Sequence, residues 1–190
     1  MQKDIGIHVF PSNFHQRTGH TSPQNMFKTQ TKVQEIVDFS NTNGMKINGS
    51  KCKIMLFNRS RKYDFMPNVK FSENQSGEVV EEMKLLGVHF SSDLKWHSHI
   101  KHIAKSANTK LWVIRRLKKL GAENSILIDL YNKQIRSTLE YACPVWAPGL
   151  TQSDIKELER VQKSAFAIIF GYQDYKHTLQ KHNLKTLEER

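Results

Sequence analysis

Apolar residues recur at helical spacing through the second half of the chain. From Ile100 onwards they lie three or four positions apart, which places them on one face of an α-helix. Gly121 then follows, and a glycine at this place is typical of a helix C-terminus. The pattern predicts a long amphipathic helix from about Trp96 to Gly121, whose apolar stripe is Ile100, Ile103, Ala104, Ala107, Leu111, Ile114, Leu117 and Leu120.

Two further helices are predicted after the first. Pro144 predicts the end of one of them, because proline has no amide hydrogen to donate. The other begins at Thr151, with Asp154 three positions on as an acidic variant of the capping box, and ends at Gly171. Their stripes are Ile126, Leu127, Leu130, Tyr131, Ile135 and Leu139, and then Ile155, Leu158, Val161, Ala165, Ile168 and Ile169.

The first half of the chain has shorter apolar runs. A short helix is predicted from Thr31 to the Asn43-Gly44 pair, because Val33, Ile36, Val37 and Phe39 repeat at helical spacing. Residues 45–47 and 54–57 predict a hairpin, joined through the turn-forming residues 48–50. A second strand pair is expected around residues 79–80 and 85–90.

The fold class expected from these elements is α+β. Residues 1–30 predict one short strand (Ile5, Ile7, Val9) and otherwise a disordered or degenerate segment. Residues 31–91 form the predicted hairpin region, and residues 92–190 form the predicted helical region.

Composition and charge narrow the class of partner. The chain has 190 residues and a net charge of +11, which favours a polyanion, nucleic acid first and an acidic membrane surface second. No apolar run approaches the roughly 18 residues of a membrane helix. The two cysteines, Cys52 and Cys143, cannot form a disulfide scaffold, so we expect an intracellular protein, with nucleus and cytoplasm both open.

The basic residues are concentrated in two runs without acids. The predicted helix from Trp96 to Gly121 carries seven of them: Lys101, Lys105, Lys110, Arg115, Arg116, Lys118 and Lys119. The other run comprises Lys46, Lys51, Lys53, Arg59, Arg61 and Lys62. Like charges four positions apart destabilise a helix, and a phosphate backbone would offset that repulsion. An ordinary solvated basic surface is the alternative interpretation.

Three aromatic residues follow the second basic run. Tyr63, Phe65 and Phe71 are candidates for stacking on bases, or else they cover the edge of a core.

Catalytic signatures are missing from the sequence. His97, His99 and His102 could share a metal ion, but no Asp, Glu or Cys nearby completes a set of ligands, so a solvated or capping histidine group is favoured. Neither a phosphate-binding glycine loop nor a nucleophile elbow occurs. We therefore expect no metal site, no cofactor and no catalytic constellation in this chain.

Several strings, taken together and in order, resemble one family. They are Asn43-Gly44-Met45-Lys46-Ile47-Asn48, Lys51-Cys52-Lys53, Met55-Leu56-Phe57, Lys84-Leu85-Leu86-Gly87-Val88, the Leu94, Trp96, His99 and Ile100 set, residues 139–146 and residues 158–163. This order is similar to the palm end, primer grip, thumb and following region of reverse transcriptases of non-LTR (LINE-type, jockey-like) retrotransposons. The resemblance covers residues 31–190.

The resemblance implies roles for particular residues. Lys51 matches a lysine near the nucleotide that is a proposed proton donor, Lys84 would contact a phosphate, and Gly87 would allow close approach of the primer. The basic helix would be the thumb surface along a template-primer duplex of RNA and DNA. Such polymerases use Mg²⁺ held by an Asp-Asp pair, and this sequence contains no such pair.

The expected function is therefore binding without polymerisation. The chain resembles a truncated or decayed element that retains nucleic-acid binding, and a separate palm and fingers chain would be needed for catalysis. The alternatives are a helical protein-interaction remnant and a pseudogene product without function.

Overall fold

The structure of the chain, a computed structural model, describes residues 8–9, 23–57, 68–72, 75–172, 174–182 and 184–187. Contacts divide the chain into two compact units, one up to Leu94 and one from Lys95 onwards. Among the described residues, the first unit consists of small sheets and one long helix and the second mainly of helices, so the expected α+β class is confirmed. Among these residues, no helix has the length and apolar character that a membrane crossing requires.

The first unit contains helix α1 (Pro23–Thr42) and the two-residue strand β1 (His8–Val9). The helix begins at Pro23 instead of Thr31, so the expectation of disorder was wrong for residues 23–30. Proline suits a first helical position because its φ is already helical and its missing donor is not needed there. The predicted stop is confirmed: Gly44 has φ of 65°, and the Met45 amide donates to the Ser40 carbonyl at 2.8 Å.

The short strands of the first unit pair differently from the sequence prediction. Strand β2 (Lys53–Ile54) pairs in parallel with β1 and with β5 (Glu78–Val79). Strands β3 (Lys70–Ser72) and β4 (Gln75–Ser76) form a separate antiparallel pair. The predicted hairpin across residues 48–50 was therefore wrong. A 3₁₀ turn over Gly49–Lys51 replaces its tight turn, and the Cys52 amide closes it on the Gly49 carbonyl at 3.1 Å.

A small core holds α1 against these strands. It consists of Val33, Cys52, Ile54, Val69 and Phe71. Phe71 is 4% exposed and belongs to this core, so of its two candidate roles the structure supports the one at a core and not stacking on bases. Tyr63 and Phe65 lie outside the described residues. The Gln30 side chain donates to the Lys70 carbonyl and accepts from the Lys70 amide, at 2.9 and 3.0 Å, and so completes the edge of β3.

A two-residue hairpin ends the first unit. Strand β6 (Glu82–Leu85) pairs with β7 (Val88–Ser91), and the loop between them is Leu86-Gly87. Both loop residues have positive φ, 47° and 87°, as a type I′ turn requires. The expected pairing of residues 79–80 with 85–90 was wrong, because Val79 belongs to β5.

The described part of the second unit consists mainly of helices. Its elements are α2 (His97–Lys119), α3 (Asn124–Leu130), a π turn (Tyr131–Arg136), α4 (Ser137–Leu139), α5 (Cys143–Trp146), a 3₁₀ turn (Ala147–Gly149), α6 (Gln152–Phe170) and α7 (Tyr175–Lys181). The predicted capping box of α6 is present, with Thr151 and Asp154 bonded to each other in both directions. Pro144 lies in the first turn of α5 and does not end the preceding helix, which stops at Leu139.

The residues of the predicted stripes are buried or half-buried, with two exceptions. Six members of the first stripe are buried, but Leu120 is 71% exposed because it lies beyond the last turn of α2. Ile126 is also exposed, whereas the buried residues of the next segment are Leu127, Tyr131, Ile135 and Leu139. These four residues are spaced four positions apart. In a regular α-helix, where 3.6 residues complete a turn, side chains at this spacing would drift gradually around the helix axis. The wider π turn keeps them on one face.

Candidate nucleic-acid interface

The exposed side of α2 carries a stripe of cations around one tryptophan. Positions 101, 105, 112, 116 and 119 are separated by intervals of four, seven, four and three, which keep them on one side of a helix. The helix rises about 1.5 Å per residue, so this stripe is about 27 Å long. We call it the α2 basic face, and it consists of Lys101, Lys105, Trp112, Arg115, Arg116 and Lys119, all exposed.

No acid offsets the charge of this face from within α2. The helix contains no Asp or Glu. In the part of the chain that the structure describes, none of the five cations takes part in a hydrogen bond or ion pair. Like charges at four-residue spacing repel each other by a few tenths of a kcal/mol, so the α2 basic face carries unfavourable electrostatic energy.

Helix α6 holds α2 in place from its buried side. The two helices run side by side in the same direction, because contacts join their N-terminal ends and their C-terminal ends. At one end the His97 Nδ1 atom lies 2.8 Å from Asp154 Oδ1. At the other end Lys118 Nζ donates to the Ile169 carbonyl at 2.8 Å. The basic face of α2 is therefore fixed on the outside of the pair.

The Asp154 carboxylate stabilises the N-terminal end of this pair. Its side chain is 3% exposed, and it accepts from the Thr151 hydroxyl at 2.6 Å and the Thr151 amide at 3.1 Å. Burial alone would raise its pKa, but the hydrogen bonds from Thr151 and His97 together with the charge of His97 lower the pKa below its ordinary value. The group is therefore ionised at neutral pH.

Two of the seven basic residues predicted on this helix make internal contacts. Lys110 Nζ donates to the Gln134 carbonyl at 3.1 Å and to Thr138 Oγ1 at 2.6 Å. Lys118 Nζ also donates to Asn124 Oδ1 at 2.8 Å. These two ammonium groups join α2 to the neighbouring helices, whereas the other five point to solvent.

A groove runs along the C-terminal halves of α2 and α6. It contains two adjoining cavities of about 370 and 610 Å³, which share Arg115 and Ile168. Trp112, Arg116 and Lys119 belong to the first cavity. The second is bounded by Arg160, Lys163, Tyr172 and Tyr175 among others. We call this feature the α2–α6 groove.

A hydrogen-bonded network lies beneath one wall of the groove. Gln162 is fully buried, accepts from the Tyr131 hydroxyl at 2.5 Å and donates to the Tyr175 hydroxyl at 2.7 Å. Tyr175 in turn donates to Glu159. Burial first, and then the bond to Glu159, raise the pKa of the Tyr175 phenol far above its ordinary value, so it remains a donor. Its ring lies 5.0 Å from the Lys163 ammonium.

The predicted residues of the first unit are more scattered. Lys46, Lys51 and Lys84 are exposed. The Lys53 ammonium lies 3.4 Å from Glu78 Oε2, and this carboxylate offsets its charge. Gly87 is the second residue of the β6–β7 turn, so its positive φ already accounts for a glycine there. Arg59, Arg61 and Lys62 lie outside the described residues.

The three histidines have different surroundings. His97 bonds to Asp154, and His102 Nδ1 lies 3.1 Å from the Ser98 carbonyl. His99 is buried between the rings of Trp96 and Trp146, with centroids 6.4 and 5.6 Å away. Among the described residues, no group of three His, Cys, Asp or Glu side chains is placed to ligate one ion. The described residues therefore contain no set of ligands that fits the Mg²⁺ ions implied by the family resemblance.

Sequence reasoning missed three residues of the groove. Trp112 is 65% exposed, although a tryptophan within an amphipathic helix is normally counted toward the core. Its position, one residue after the buried Leu111, places it outside the apolar stripe, and this signal was present in the sequence. Arg160 and Lys163 join the α2 cations only through the packing of α6 on α2, which no local pattern indicates.

In comparisons with known proteins, no family model, no curated protein and no solved structure matches the chain.

Proposed function

We propose that this chain binds nucleic acid through its phosphates, without regard to base sequence. The observation that supports this most directly is the α2 basic face, where five cations on one side of a helix have no acid and no internal partner among the described residues. A phosphate backbone offers a row of negative charges along one direction. A face about 27 Å long would follow about eight base-pair steps.

The resemblance to the thumb of non-LTR retrotransposon reverse transcriptases points to the same surface. In that interpretation a template-primer duplex of RNA and DNA lies along α2. We propose binding without polymerisation, because the chain has no Asp-Asp pair to hold the two Mg²⁺ ions that polymerisation requires. A second chain with palm and fingers would have to supply them.

The first test is fluorescence anisotropy of the full chain with labelled duplexes. An RNA/DNA hybrid and a DNA duplex of about 16 base pairs would each be titrated between about 50 and 200 mM salt. We expect binding to both duplexes, with an affinity that falls steeply as salt increases. Absence of binding at the lowest salt, from a protein with helical circular dichroism, would refute the proposal.

A charge variant tests whether the α2 basic face is the surface that binds. Replacing Lys101, Lys105, Arg116 and Lys119 with Gln removes four phosphate contacts. The slope of log affinity against log salt on DNA should fall by about 3 to 4, since each contact contributes about 0.9. The matched control removes the same charge elsewhere, at Lys32, Lys133, Lys176 and Lys181, which are all exposed. Equal slopes for the two variants would show that only net charge matters.

A protein partner is the second candidate. Leu120 and Ile126, on either side of the Gly121 turn, are 71% and 55% exposed, which is unusual for large apolar side chains so close together in the sequence. If a protein covers them, pull-down of that partner should be insensitive to salt and should be lost in Leu120→Ser. The charge variant above should leave this partner bound.

A further inference from the structure

Trp112 lies in the middle of the α2 basic face. Its side chain is 65% exposed, whereas Trp96 and Trp146 are buried at 9% and 3%. Tryptophan carries the largest apolar surface of any side chain, and leaving it in water forgoes the stabilisation that burial would give. Its neighbours one helical turn away are Asn108, Thr109, Arg115 and Arg116, so no large apolar side chain one turn away on the same helix covers it.

The indole borders the first cavity of the α2–α6 groove. Trp112 and Ile168 supply the apolar part of this cavity, and Arg115, Arg116 and Lys119 supply positive charge around it. Its volume of about 370 Å³ lies in the range of about 300 to 1,000 Å³ that is common for small-ligand sites. One flat aromatic group of a ligand, with negative charges on either side, would match this combination.

The adjoining cavity repeats the same combination. Tyr172 is fully exposed, directly after Gly171 at the end of α6. The Lys163 ammonium lies over the Tyr175 ring at 5.0 Å, and Arg160 is also part of the lining. Arg160 forms an ion pair with Glu157, so Lys163 is the stronger source of charge on this wall. The groove therefore alternates aromatic faces and cations over both cavities.

Rows of cations interleaved with exposed aromatic rings bind unpaired nucleic-acid strands, because bases stack on the rings and phosphates contact the cations. A duplex stacks its bases on each other inside the helix and offers no base face to a side chain. We infer that the α2–α6 groove binds unpaired nucleotides of an RNA or DNA strand, with one base stacked on Trp112 and the flanking phosphates on Arg115, Arg116 and Lys163. This inference rests on the proposed function and assigns the unpaired part of the ligand to the C-terminal part of the α2 basic face, where that face borders the groove.

Tryptophan fluorescence provides a direct test with the full chain. The probe is an oligothymidylate of about eight nucleotides, compared with a blunt DNA duplex of about 16 base pairs. Because Trp112 is the exposed member of the three tryptophans, stacking of a base on it should quench emission. We expect saturable quenching with the oligothymidylate and none with the blunt duplex. Binding of the oligothymidylate without quenching would overturn the inference.

Two substitutions at Trp112 separate stacking from apolar contact. Trp112→Leu keeps an apolar side chain but removes the ring, and it should weaken oligothymidylate binding about 5- to 150-fold in an anisotropy titration. Trp112→Phe retains a ring and should stay within a few-fold of the original. Both variants should bind the blunt duplex as the original does, since the cations remain. Because the side chain is exposed, circular dichroism should be unchanged in both.

The experiments distinguish failure of the groove proposal from failure of the proposed nucleic-acid binding. If Trp112→Leu binds oligothymidylate as tightly as the original, or loses affinity for strand and duplex by the same factor, the groove does not bind unpaired bases. Normal salt-dependent duplex binding would then still support the proposed function. If neither probe binds the original chain, both proposals are refuted.

Discussion

Gln162 connects three elements of the second unit through a single amide. It accepts from the Tyr131 hydroxyl of the π turn, and donates to the Tyr175 hydroxyl of α7 and to the Lys185 carbonyl beyond it, the last at 3.1 Å. The side chain is fully buried. Gln162→Met retains the approximate length and shape of the side chain but removes every one of these hydrogen bonds. It therefore isolates their contribution to stability.

The expected cost follows from the number of bonds and the burial of their partners. Each hydrogen bond contributes about 1 kcal/mol net, and a buried hydroxyl that loses its acceptor costs about 1 to 3 kcal/mol more. Tyr131 is 1% exposed, so it incurs this penalty, whereas Tyr175 retains its bond to Glu159. We expect Gln162→Met to lower the free energy of unfolding of the second unit by about 4 to 6 kcal/mol.

Urea unfolding followed by tryptophan fluorescence reports on the second unit, because all three tryptophans lie after Lys95. Tyr131→Phe, alone and combined with Gln162→Met, completes a double-mutant cycle. The double variant should cost less than the sum of the single variants by about 1 kcal/mol or more, since the two groups bond to each other. A loss below about 1 kcal/mol in Gln162→Met, or strict additivity, would refute this account of the network.

Three further substitutions test other parts of the fold. Asp154→Asn should lower the free energy of unfolding by about 1 to 3 kcal/mol at pH 7. Because the folded-state pKa of Asp154 lies below its unfolded value, this contribution is present above pH about 4 and is lost as pH falls through the folded pKa, so original and variant should converge in urea titrations at acidic pH. Leu86→Asn should stabilise the β6–β7 hairpin by about 1 kcal/mol, measured by amide exchange, because asparagine tolerates positive φ better than leucine. Gly77→Ala should destabilise the first unit, since the added Cβ would lie 2.8 Å from Ile54 and Phe71, and α1 amides should exchange faster; unchanged exchange would contradict that contact.

The helices of the second unit could be predicted because their signals are local. An apolar stripe, a following glycine and a capping box each act within a few residues, and they located α2 and α6 correctly. The π turn could not be predicted in this way. A spacing of four residues is also compatible with an α-helix whose apolar stripe drifts slowly around it. Only the packing of the π turn on α2, and of Tyr131 on Phe166 of α6, decides between the two.

The strands of the first unit depended on partners far away in the sequence. Asn48-Gly49-Ser50 suits both a hairpin turn and a 3₁₀ turn, and the choice depends on whether Lys53–Ile54 pairs with its neighbour or with a distant strand. It pairs with Glu78–Val79 and His8–Val9, and neither partner could be identified from residues 45–57 alone. The cations of α2 could be predicted because they lie on one helix. Their position opposite Lys163 in the groove depends on the packing of a helix that is distant in the sequence, so it could not be predicted.

The parallel arrangement of α2 and α6 has a kinetic consequence. Antiparallel neighbours need only a short connection, but these helices meet in the same direction, so the chain from Leu120 to Thr151 must cross back before they pair. Closing a loop of roughly 30 residues costs about 3 kcal/mol of chain entropy, and no α2–α6 contact forms until this is done. The second unit should therefore fold more slowly than a helical bundle of its size with adjacent antiparallel helices. Substitutions within α3 and the π turn, which direct the crossing, should slow its refolding more than substitutions on the exposed face of α2.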